Sequence, residues 1–315
     1  MKYFKKLGCN KARMESVLFF DIKNYAINDG PGIRTTIFFK GCPLRCNWCH
    51  NPESISPGIE KLYDRDKCIV CNGCVEVCPE KACRLISGVV VTDPVKCTSC
   101  GCCADICPAM ACEMSGRVAT VAELVKKIEK QRIFFDQSSG GVTFSGGEPL
   151  SHPAFLIKLL DECGRLAIHR TVDTSGFAPL STLLDVAGRT DHFLYDIKLM
   201  DAERHKRWTG VDNGVILSNL EKLAASGASI NIRLPLIKGV NDDGENIEQM
   251  ARFVAGLAGE KKMVNILPYH NTGLTKYQKL GREYKLRHMV PPGDRTLARV
   301  SAVFAYFAVE TMIGG

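Results

Sequence analysis

Short apolar runs alternate with amphipathic stretches along most of the chain. The runs are rich in β-branched and aromatic residues, as buried strands are, and the stretches between them place apolar residues every three or four positions, as helices do. After a weaker first strand at 17–23, the predicted strands are 34–40, 141–145, 169–174, 193–198, 229–235 and 263–267. The predicted helices are 120–131, which a capping-box sequence opens, and 153–166, 179–187, 215–225, 246–257 and 295–307. Such alternation predicts parallel strands joined by right-handed crossovers, with too few units for a closed eight-stranded barrel.

Residues 55–117 break this pattern, because they are dense in cysteine and have no long helical period. Two cysteine runs lie there, and each position of the first recurs 29 residues later. The runs are Cys68-x2-Cys71-x2-Cys74-x3-Cys78-Pro79 and Cys97-x2-Cys100-x2-Cys103-x3-Cys107-Pro108. We therefore divide the chain into a basic tail (1–16), an α/β domain (17–54 and 118–315) and an inserted domain (55–117).

The composition is that of an ordinary globular protein, with 45% hydrophobic and 24% charged residues among 315. Sixteen cysteines are unusual, and their C-x2-C spacing indicates metal binding rather than disulfides. Thiolate clusters need reducing surroundings, so we expect a cytoplasmic protein, with no signal peptide and no membrane span. The net charge of +7 favours an acidic protein partner or simply solubility, and no basic stripe with interleaved aromatics suggests nucleic acid.

Three more cysteines, Cys42, Cys46 and Cys49, follow the apolar run 34–40 at C-x3-C-x2-C spacing. Three thiolates can hold three corners of a [4Fe–4S] cluster, which in a ferredoxin needs four. The fourth iron would then be open to another ligand, as a catalytic metal site is. A structural zinc knuckle or three buried thiols is the alternative interpretation.

With Trp48 before the third cysteine and His-Asn-Pro-Glu after it, this motif resembles the radical SAM superfamily, and within it the glycyl radical enzyme activating enzymes. The resemblance implies an open, partial (β/α)6 barrel with functional residues at the carboxyl ends of its strands. It also implies that the open iron binds S-adenosylmethionine, which one electron splits to methionine and a 5′-deoxyadenosyl radical.

The cysteine repeat resembles bacterial two-cluster ferredoxins, in which the fourth cysteine of each run ligates the other cluster. The insert is therefore expected to be a ferredoxin-like α+β domain. One predicted ligand set is Cys68, Cys71, Cys74 and Cys107, and the other is Cys97, Cys100, Cys103 and Cys78. Together with the catalytic cluster this makes three [4Fe–4S] clusters. Electron relay, docking of a reductant and purely structural support are open roles for the insert, and a pair of zinc sites is the alternative content.

Four further cysteines receive weaker assignments. We expect Cys83 and Cys112 to be buried fillers beside the clusters and Cys9 to be a free thiol. Cys102 can compete with Cys103 as a ligand, and Cys103 is preferred because it preserves the spacing.

The resemblance also implies a cofactor cradle at the ends of later strands. Gly146 and Gly147 would let the backbone approach the cofactor, and Glu148 would receive the methionyl ammonium group. Asp173, Thr174 and Asp196 would line a monovalent-cation site, for Na⁺ or K⁺, and Lys198 would contact the cofactor carboxylate. The remaining implied cofactor contacts are Trp48, Ser175, Arg233 and His270.

The predicted function is therefore activation of a partner glycyl radical enzyme by hydrogen abstraction from one backbone glycine, with flavodoxin or ferredoxin as electron donor. Such activases serve lyases, decarboxylases and dehydratases acting on choline, isethionate, diols, 4-hydroxyphenylacetate or hydroxyproline, and we lean toward a choline or isethionate lyase as the partner. Another radical SAM reaction, such as peptide or sulfatase maturation, and a ferredoxin-like electron carrier are the alternatives.

Overall fold

The computed structural model describes residues 16–260 and 262–314. The predictions for the basic tail and for Cys9 lie outside the described residues, apart from Ser16, which begins the first strand. Within the described part of the chain, no helix is long and apolar enough to cross a bilayer.

Thirteen strands are found among the described residues. They are β1 (Ser16–Ala26), β2 (Arg34–Phe39), β3 (Glu60–Tyr63), β4 (Cys83–Ile86), β5 (Val89–Thr92), β6 (Cys112–Ser115), β7 (Arg117–Thr120), β8 (Gly141–Gly146), β9 (His169–Thr174), β10 (His192–Asp196), β11 (Ile230–Leu236), β12 (Met263–Pro268) and β13 (Thr311–Ile313). Nine of them form one sheet in the order β13-β12-β11-β10-β9-β8-β2-β1-β7.

The parallel part of this sheet runs from β2 to β13, and the strand pairs keep one direction throughout. The two antiparallel pairs of this sheet both involve β1, which lies between β2 and β7. Six adjacent strands of this sheet, β2, β8, β9, β10, β11 and β12, confirm the predicted partial barrel. The sheet stays open between β13 and β7 among the described residues, because neither edge strand has a second partner there.

Eleven α-helices are found among the described residues, and most of them pack on the large sheet. They are α1 (Gly73–Glu76), α2 (Cys102–Asp105), α3 (Val121–Glu129), α4 (Arg132–Ser138), α5 (Pro153–Arg165), α6 (Leu180–Ala187), α7 (Ala202–Thr209), α8 (Gly214–Ala225), α9 (Gly244–Ala255), α10 (Leu274–Lys279) and α11 (Asp294–Tyr306), with α1 and α2 in the insert. The predicted capping box of α3 is present, with Thr120 and Glu123 each accepting the other's backbone N–H.

The main core lies between the sheet and these helices. Strand β8 is buried along almost its whole length and β11 alternates buried and half-buried residues, so both faces of the sheet are covered. Phe39, Phe144 and Phe155 meet at ring-centroid distances of 6.2 Å in this core. The apolar runs that predicted the strands are thus the runs that fill the core.

The structure adds several elements that periodicity did not predict. These are β7, β13, α4, α7, α10 and the elements of the insert. Each is short, and α7 is rich in charged residues with only His205 and Thr209 buried. Arg117, which was placed in the insert, begins β7 and joins the large sheet.

The four strands of the insert form two small antiparallel sheets, β3 with β6 and β4 with β5. The cysteine repeat extends to these strands, because β3 and β4 recur 29 residues later as β5 and β6. The insert has a small core of its own, made largely of cysteines from both halves of the repeat.

Candidate active site

The carboxyl ends of the parallel strands open into a cleft with about 1010 Å³ of empty space. Ligands of parallel sheets bind at this edge. Most of the predicted site residues line the cleft: Cys42, Cys46, Trp48, Cys49, Gly146, Gly147, Asp173, Thr174, Ser175, Asp196, Lys198 and Arg233. The structure therefore brings together residues from five different strands or the loops that follow them.

The cysteine loop that follows β2 is held by backbone hydrogen bonds from two sides. Gly41 and Cys42 donate to the carbonyls of Ser54 and Ile55. On the other side, Arg45 N donates to Thr209 O at 2.6 Å and Asn47 N donates to the carbonyl of Trp208. The end of α7, which sequence reasoning missed, thus fixes the position of the three thiols.

Burial raises the pKa of the Cys42, Cys46 and Cys49 thiols to about 12. Such thiols stay protonated and inert at neutral pH unless a positive charge compensates the thiolate. The donor set of three soft sulfur ligands, sharing one cleft without a fourth cysteine in its lining, fits an iron–sulfur cluster with one open iron.

The turn after β8 lies directly against this cysteine loop. Glu148 N donates to Gly41 O at 2.8 Å, and Gly147 N donates to Phe39 O at 2.8 Å. A Cβ at Gly147 would overlap the Gly41 carbonyl, and Gly146 has a φ of +110°. These glycines line the cleft as expected, but the close approach that requires Gly147 is to the cysteine loop.

The side chain of Glu148 is placed differently from the prediction. It is 1% exposed and is not part of the cleft lining. One carboxylate oxygen accepts from Leu150 N and the Thr174 hydroxyl, and the other accepts from the backbone N–H and hydroxyl of Ser175. With four protein donors already bound, this carboxylate organises the β8 and β9 strand ends and is turned away from a ligand in the cleft.

Two ion pairs cross the floor of the cleft. Arg233 lies 3.1 Å from Asp173, which also accepts a 2.6 Å hydrogen bond from Ser145. Lys198 lies 2.6 Å from Asp196. Burial raises the pKa of Asp173 although Arg233 opposes the shift. Burial alone would lower the pKa of Lys198, but Asp196 and the neighbouring thiols raise it, so the ammonium group stays charged.

The predicted His270 contact differs from the observed arrangement. The His270 ring is exposed, stacks on His50 at 3.9 Å and makes a 2.6 Å hydrogen bond with Thr272. The neighbouring Tyr269 lines the cleft instead. After β12 the side chain of Tyr269 points into the cleft, and that of the next residue, His270, points to solvent. The residue that lines the cleft is therefore the one before the predicted residue.

The segment from Asp29 to Arg34 had no predicted role, and the structure shows one. Asp29 accepts a 2.6 Å hydrogen bond from Thr36, and its carbonyl accepts one from Thr143. Arg34 is fully buried and donates to Thr143 and to the carbonyls of Pro31 and Val142. The segment therefore closes the amino-terminal end of the barrel below the cleft.

The insert contains two cavities, of about 340 and 350 Å³. Cys78, Cys97, Cys100 and Cys103 line one, which we call cavity A. Cys68, Cys71, Cys74 and Cys107 line the other, cavity B. Each cavity thus combines three cysteines of one run with the last cysteine of the other, as the ferredoxin pattern implies.

The remaining cysteines of the insert lie beside these sets. Cys83 and Cys112 are buried, one at each cavity. Cys102 and the buried Cys103 both line cavity A, so the geometry does not decide which of them is the cluster ligand. Cys103 stays the preferred ligand because it preserves the spacing of the run. No group of three His, Cys, Asp or Glu side chains within 16–260 and 262–314 is placed to hold a single metal ion.

Comparison with known proteins identifies the class. The family model of the radical SAM superfamily matches residues 94–254, half of the chain, and the 4Fe-4S dicluster domain matches residues 60–122. The chain is 36% identical to a domain of a pyruvate-formate lyase-activating enzyme from Bacteroides vulgatus, whose crystal structure covers 56% of this chain and is itself covered to 99%, with a TM-score of 0.49. The chain belongs to the radical SAM superfamily.

Relatives that match almost the whole chain identify one family within this superfamily. The trans-4-hydroxy-L-proline dehydratase activating enzyme of Clostridioides difficile is 43% identical over 95% of this chain and 99% of its own length. The choline trimethylamine-lyase activating enzyme of Oleidesulfovibrio alaskensis is 39% identical over 90% of this chain and 94% of its own. The chain is a glycyl radical enzyme activating enzyme, which uses S-adenosylmethionine and iron–sulfur clusters.

Proposed function

We propose that this activase carries three [4Fe–4S] clusters, one on Cys42, Cys46 and Cys49 and two in the insert, and that it activates a glycyl radical enzyme of the dehydratase or lyase type. The observation that carries the proposal is the cleft at the strand ends, where three thiols without a fourth face two ion pairs. When bound there, the cluster and S-adenosylmethionine supply, with one electron, the 5′-deoxyadenosyl radical that takes hydrogen from the partner's glycine.

The chain's own residues bind and orient in this scheme, and none needs to transfer a proton. Lys198 offers a charged donor for the carboxylate of the cofactor. Trp48 is 4% exposed and packs against Trp208, so it gives the cleft a rigid apolar wall. The protein supplies position and electrostatics while the cofactor carries the chemistry.

A monovalent cation beside Asp173, Thr174 and Asp196 stays part of the proposal. Both carboxylates already have a cationic partner, Arg233 or Lys198. Binding of Na⁺ or K⁺ would therefore require at least one of these ion pairs to open, which can happen when Lys198 turns toward the cofactor carboxylate.

The electron route is proposed to run through the insert. The two cysteine sets of cavities A and B support two cubane clusters, and these would pass one electron at a time toward the catalytic cleft. A flavodoxin or ferredoxin, as a one-electron donor of low potential, would supply it. Because thiolate clusters persist only in reducing surroundings, we place the enzyme in the cytoplasm.

The partner enzyme is proposed by class. The relatives named above serve a hydroxyproline dehydratase and a choline lyase, and an isethionate sulfite-lyase activating enzyme of Nitratidesulfovibrio vulgaris is 37% identical over 94% of this chain. All three named partners break a carbon–heteroatom bond, so we propose the same bond class for the partner of this chain.

The test is anaerobic reconstitution followed by two assays. We expect about 12 iron atoms per chain, from three cubane clusters, and reductive cleavage of S-adenosylmethionine to 5′-deoxyadenosine. Cys46→Ala should abolish cleavage and lose about 4 iron atoms. The matched control is Cys163→Ala, since Cys163 lies buried in α5 away from every cavity described above. Full cleavage by Cys46→Ala would overturn the assignment.

A second experiment addresses the insert and the partner. Cys71→Ala should lose one insert cluster and slow, rather than abolish, activation, whereas wild-type rates would mean that the insert is no electron route. Mixing the reduced activase and S-adenosylmethionine with a hydroxyproline dehydratase, a choline lyase and an isethionate lyase, each in turn, should give the glycyl radical EPR signal on one of them. A signal on none of the three but on a glycyl radical enzyme that breaks a carbon–carbon bond, such as a decarboxylase, would reject the proposed partner class.

A further inference from the structure

The two cavities of the insert are related by the internal repeat, which makes their differences informative. Equivalent positions lie 29 residues apart, so that β3 corresponds to β5 and the cysteine run of one half to that of the other. Cavities A and B have nearly the same volume and the same arrangement of four cysteines. Any difference in the two environments must come from the other residues that line them.

The hydrogen bonds to the last cysteine of each run are the same in both halves. Ala82 N donates to Cys78 Sγ at 3.2 Å, and Ala111 N donates to Cys107 Sγ at 3.2 Å. N–H···S hydrogen bonds of this kind raise the potential of an iron–sulfur cluster. Because the two bonds are equal in length, they shift the potentials of both clusters alike.

The difference between the halves is one charge. Lys61, on β3, lines cavity A and donates from Nζ to Cys83 Sγ at 3.2 Å and to Thr92 Oγ1 at 2.9 Å. The equivalent position on β5 is Val90, which lines cavity B and is 5% exposed. No lysine or arginine of the described residues lines cavity B, and the acidic residue at cavity A, Glu80, is exposed to solvent.

We propose that Lys61 separates the potentials of the two insert clusters, holding the cluster in cavity A at the higher potential. The inference rests on the proposed cluster content of the insert. One-electron reduction adds a negative charge to the cubane, and a nearby half-buried ammonium group stabilises the reduced form by Coulomb attraction. Val90 offers no such attraction to the cluster in cavity B.

The consequence for electron transfer is that the two insert clusters are reduced in a fixed order. A single electron delivered to the insert by a one-electron donor resides on the cluster in cavity A, and the cluster in cavity B is reduced only by a second electron or at lower potential. Lys61 thus changes the reduction potential of a cluster through its charge and is not itself a cluster ligand.

The test is an EPR-monitored redox titration of the full, reconstituted chain. The catalytic cluster is recognised by its change on addition of S-adenosylmethionine, which leaves two other couples to follow. In Lys61→Gln, which keeps a hydrogen-bond donor but loses the charge, one of these two should become at least tenfold harder to reduce, which is 59 mV for a one-electron couple. The other couple should shift less, because Lys61 lines cavity A and reaches Cys74 of the cavity B set only through space.

Two further variants serve as controls. Lys61→Arg keeps the charge and should leave both couples near their wild-type potentials. Lys67→Gln removes the same charge from an exposed position of the insert, where Lys67 pairs with Glu113 at 3.7 Å, and should shift neither couple by as much, since solvent screens it.

Several outcomes overturn the inference. Unchanged couples in Lys61→Gln at full iron content would do so, as would equal shifts of both couples. Loss of insert iron in both Lys61→Gln and Lys61→Met would mean that Lys61 only holds β3 to the neighbouring hairpin. In contrast, wild-type protein with fewer than about 8 iron atoms in the insert would reject the proposed cluster content itself.

Discussion

The buried carboxylate of Glu148 gives the sharpest test of how the cleft is built. Glu148→Gln keeps the shape of the side chain but replaces one acceptor oxygen by an NH₂ group. The four donors that surround the carboxylate, from Leu150, Thr174 and Ser175, would then face one oxygen and one donor. The hydroxyl on the amide side can turn to accept from the NH₂ group, but the backbone N–H of Leu150 or Ser175 on that side is left without an acceptor in a dry site.

The magnitude follows from the cost of one buried, unsatisfied donor, so the variant should lose about 1–3 kcal/mol of stability. At about 2–4 °C per kcal/mol, the thermal midpoint should fall by at least about 2 °C. Because Glu148 N also bonds to Gly41 O at 2.8 Å, the cysteine loop should loosen and the KM for S-adenosylmethionine should rise.

The assay is thermal unfolding of the reconstituted protein by near-ultraviolet circular dichroism under anaerobic conditions, with S-adenosylmethionine cleavage measured in parallel. Glu203→Gln on the exposed face of α7 is the matched control and should shift the midpoint by less than about 1 °C. An unchanged midpoint in Glu148→Gln would refute the reasoning. It would mean that burial, which raises the pKa of Glu148, keeps the carboxyl protonated, so that an amide replaces it without loss.

Three other predictions concern the scaffold around the cleft. Gly176 has a φ of +72°, and a Cβ there would overlap the Tyr195 hydroxyl, so Gly176→Ala should cost about 2–5 kcal/mol in urea unfolding, whereas Gly188→Ala should be nearly neutral. Burial lowers the pKa of His192 to about 4, so the folded state binds its proton at lower pH than the unfolded state does; this group alone should lower stability by about 1.3 kcal/mol between pH 7.5 and pH 5.5, and the fall should be smaller by that amount in His192→Asn, where the other buried histidines, His50 among them, still contribute. Thr120→Ala removes the capping box of α3 and should cost about 1 kcal/mol by the same unfolding measurement, and no loss would show that the cap is not formed in solution.

Apolar runs were sufficient to predict the parallel strands because those strands are buried on both faces. The run 34–40 appears as β2, and the run 263–267 appears as β12, each within one or two residues. β13 was missed because three residues carry no measurable period. α7 was missed because its sequence is mostly charged, and it is stable through its Asp201 cap and its contacts with the cysteine loop.

Motifs placed most of the site, and they failed where side-chain direction decides. The cysteines need only the right spacing, so their clustering in the cleft followed from the sequence. Glu148 and His270 sit in the right segments, but the direction of each side chain depends on how the backbone leaves its strand. Nothing in the local sequence indicates that Tyr269 turns inward where His270 turns out.

The contact between the insert and the cysteine loop bears directly on the electron route. Glu60, the residue before Lys61 on β3, lies 3.3 Å from the Nζ atom of Lys40, which is fully buried and precedes Gly41 and Cys42. Loss of Glu60 would leave the buried ammonium group of Lys40 without its carboxylate partner, so this pair ties the position of β3 to the end of β2. One short strand therefore carries both the charge that tunes cavity A and the anchor to the catalytic loop. Electron relay between clusters requires a fixed distance, and a strand anchored in this way provides it, whereas a flexibly tethered insert would not.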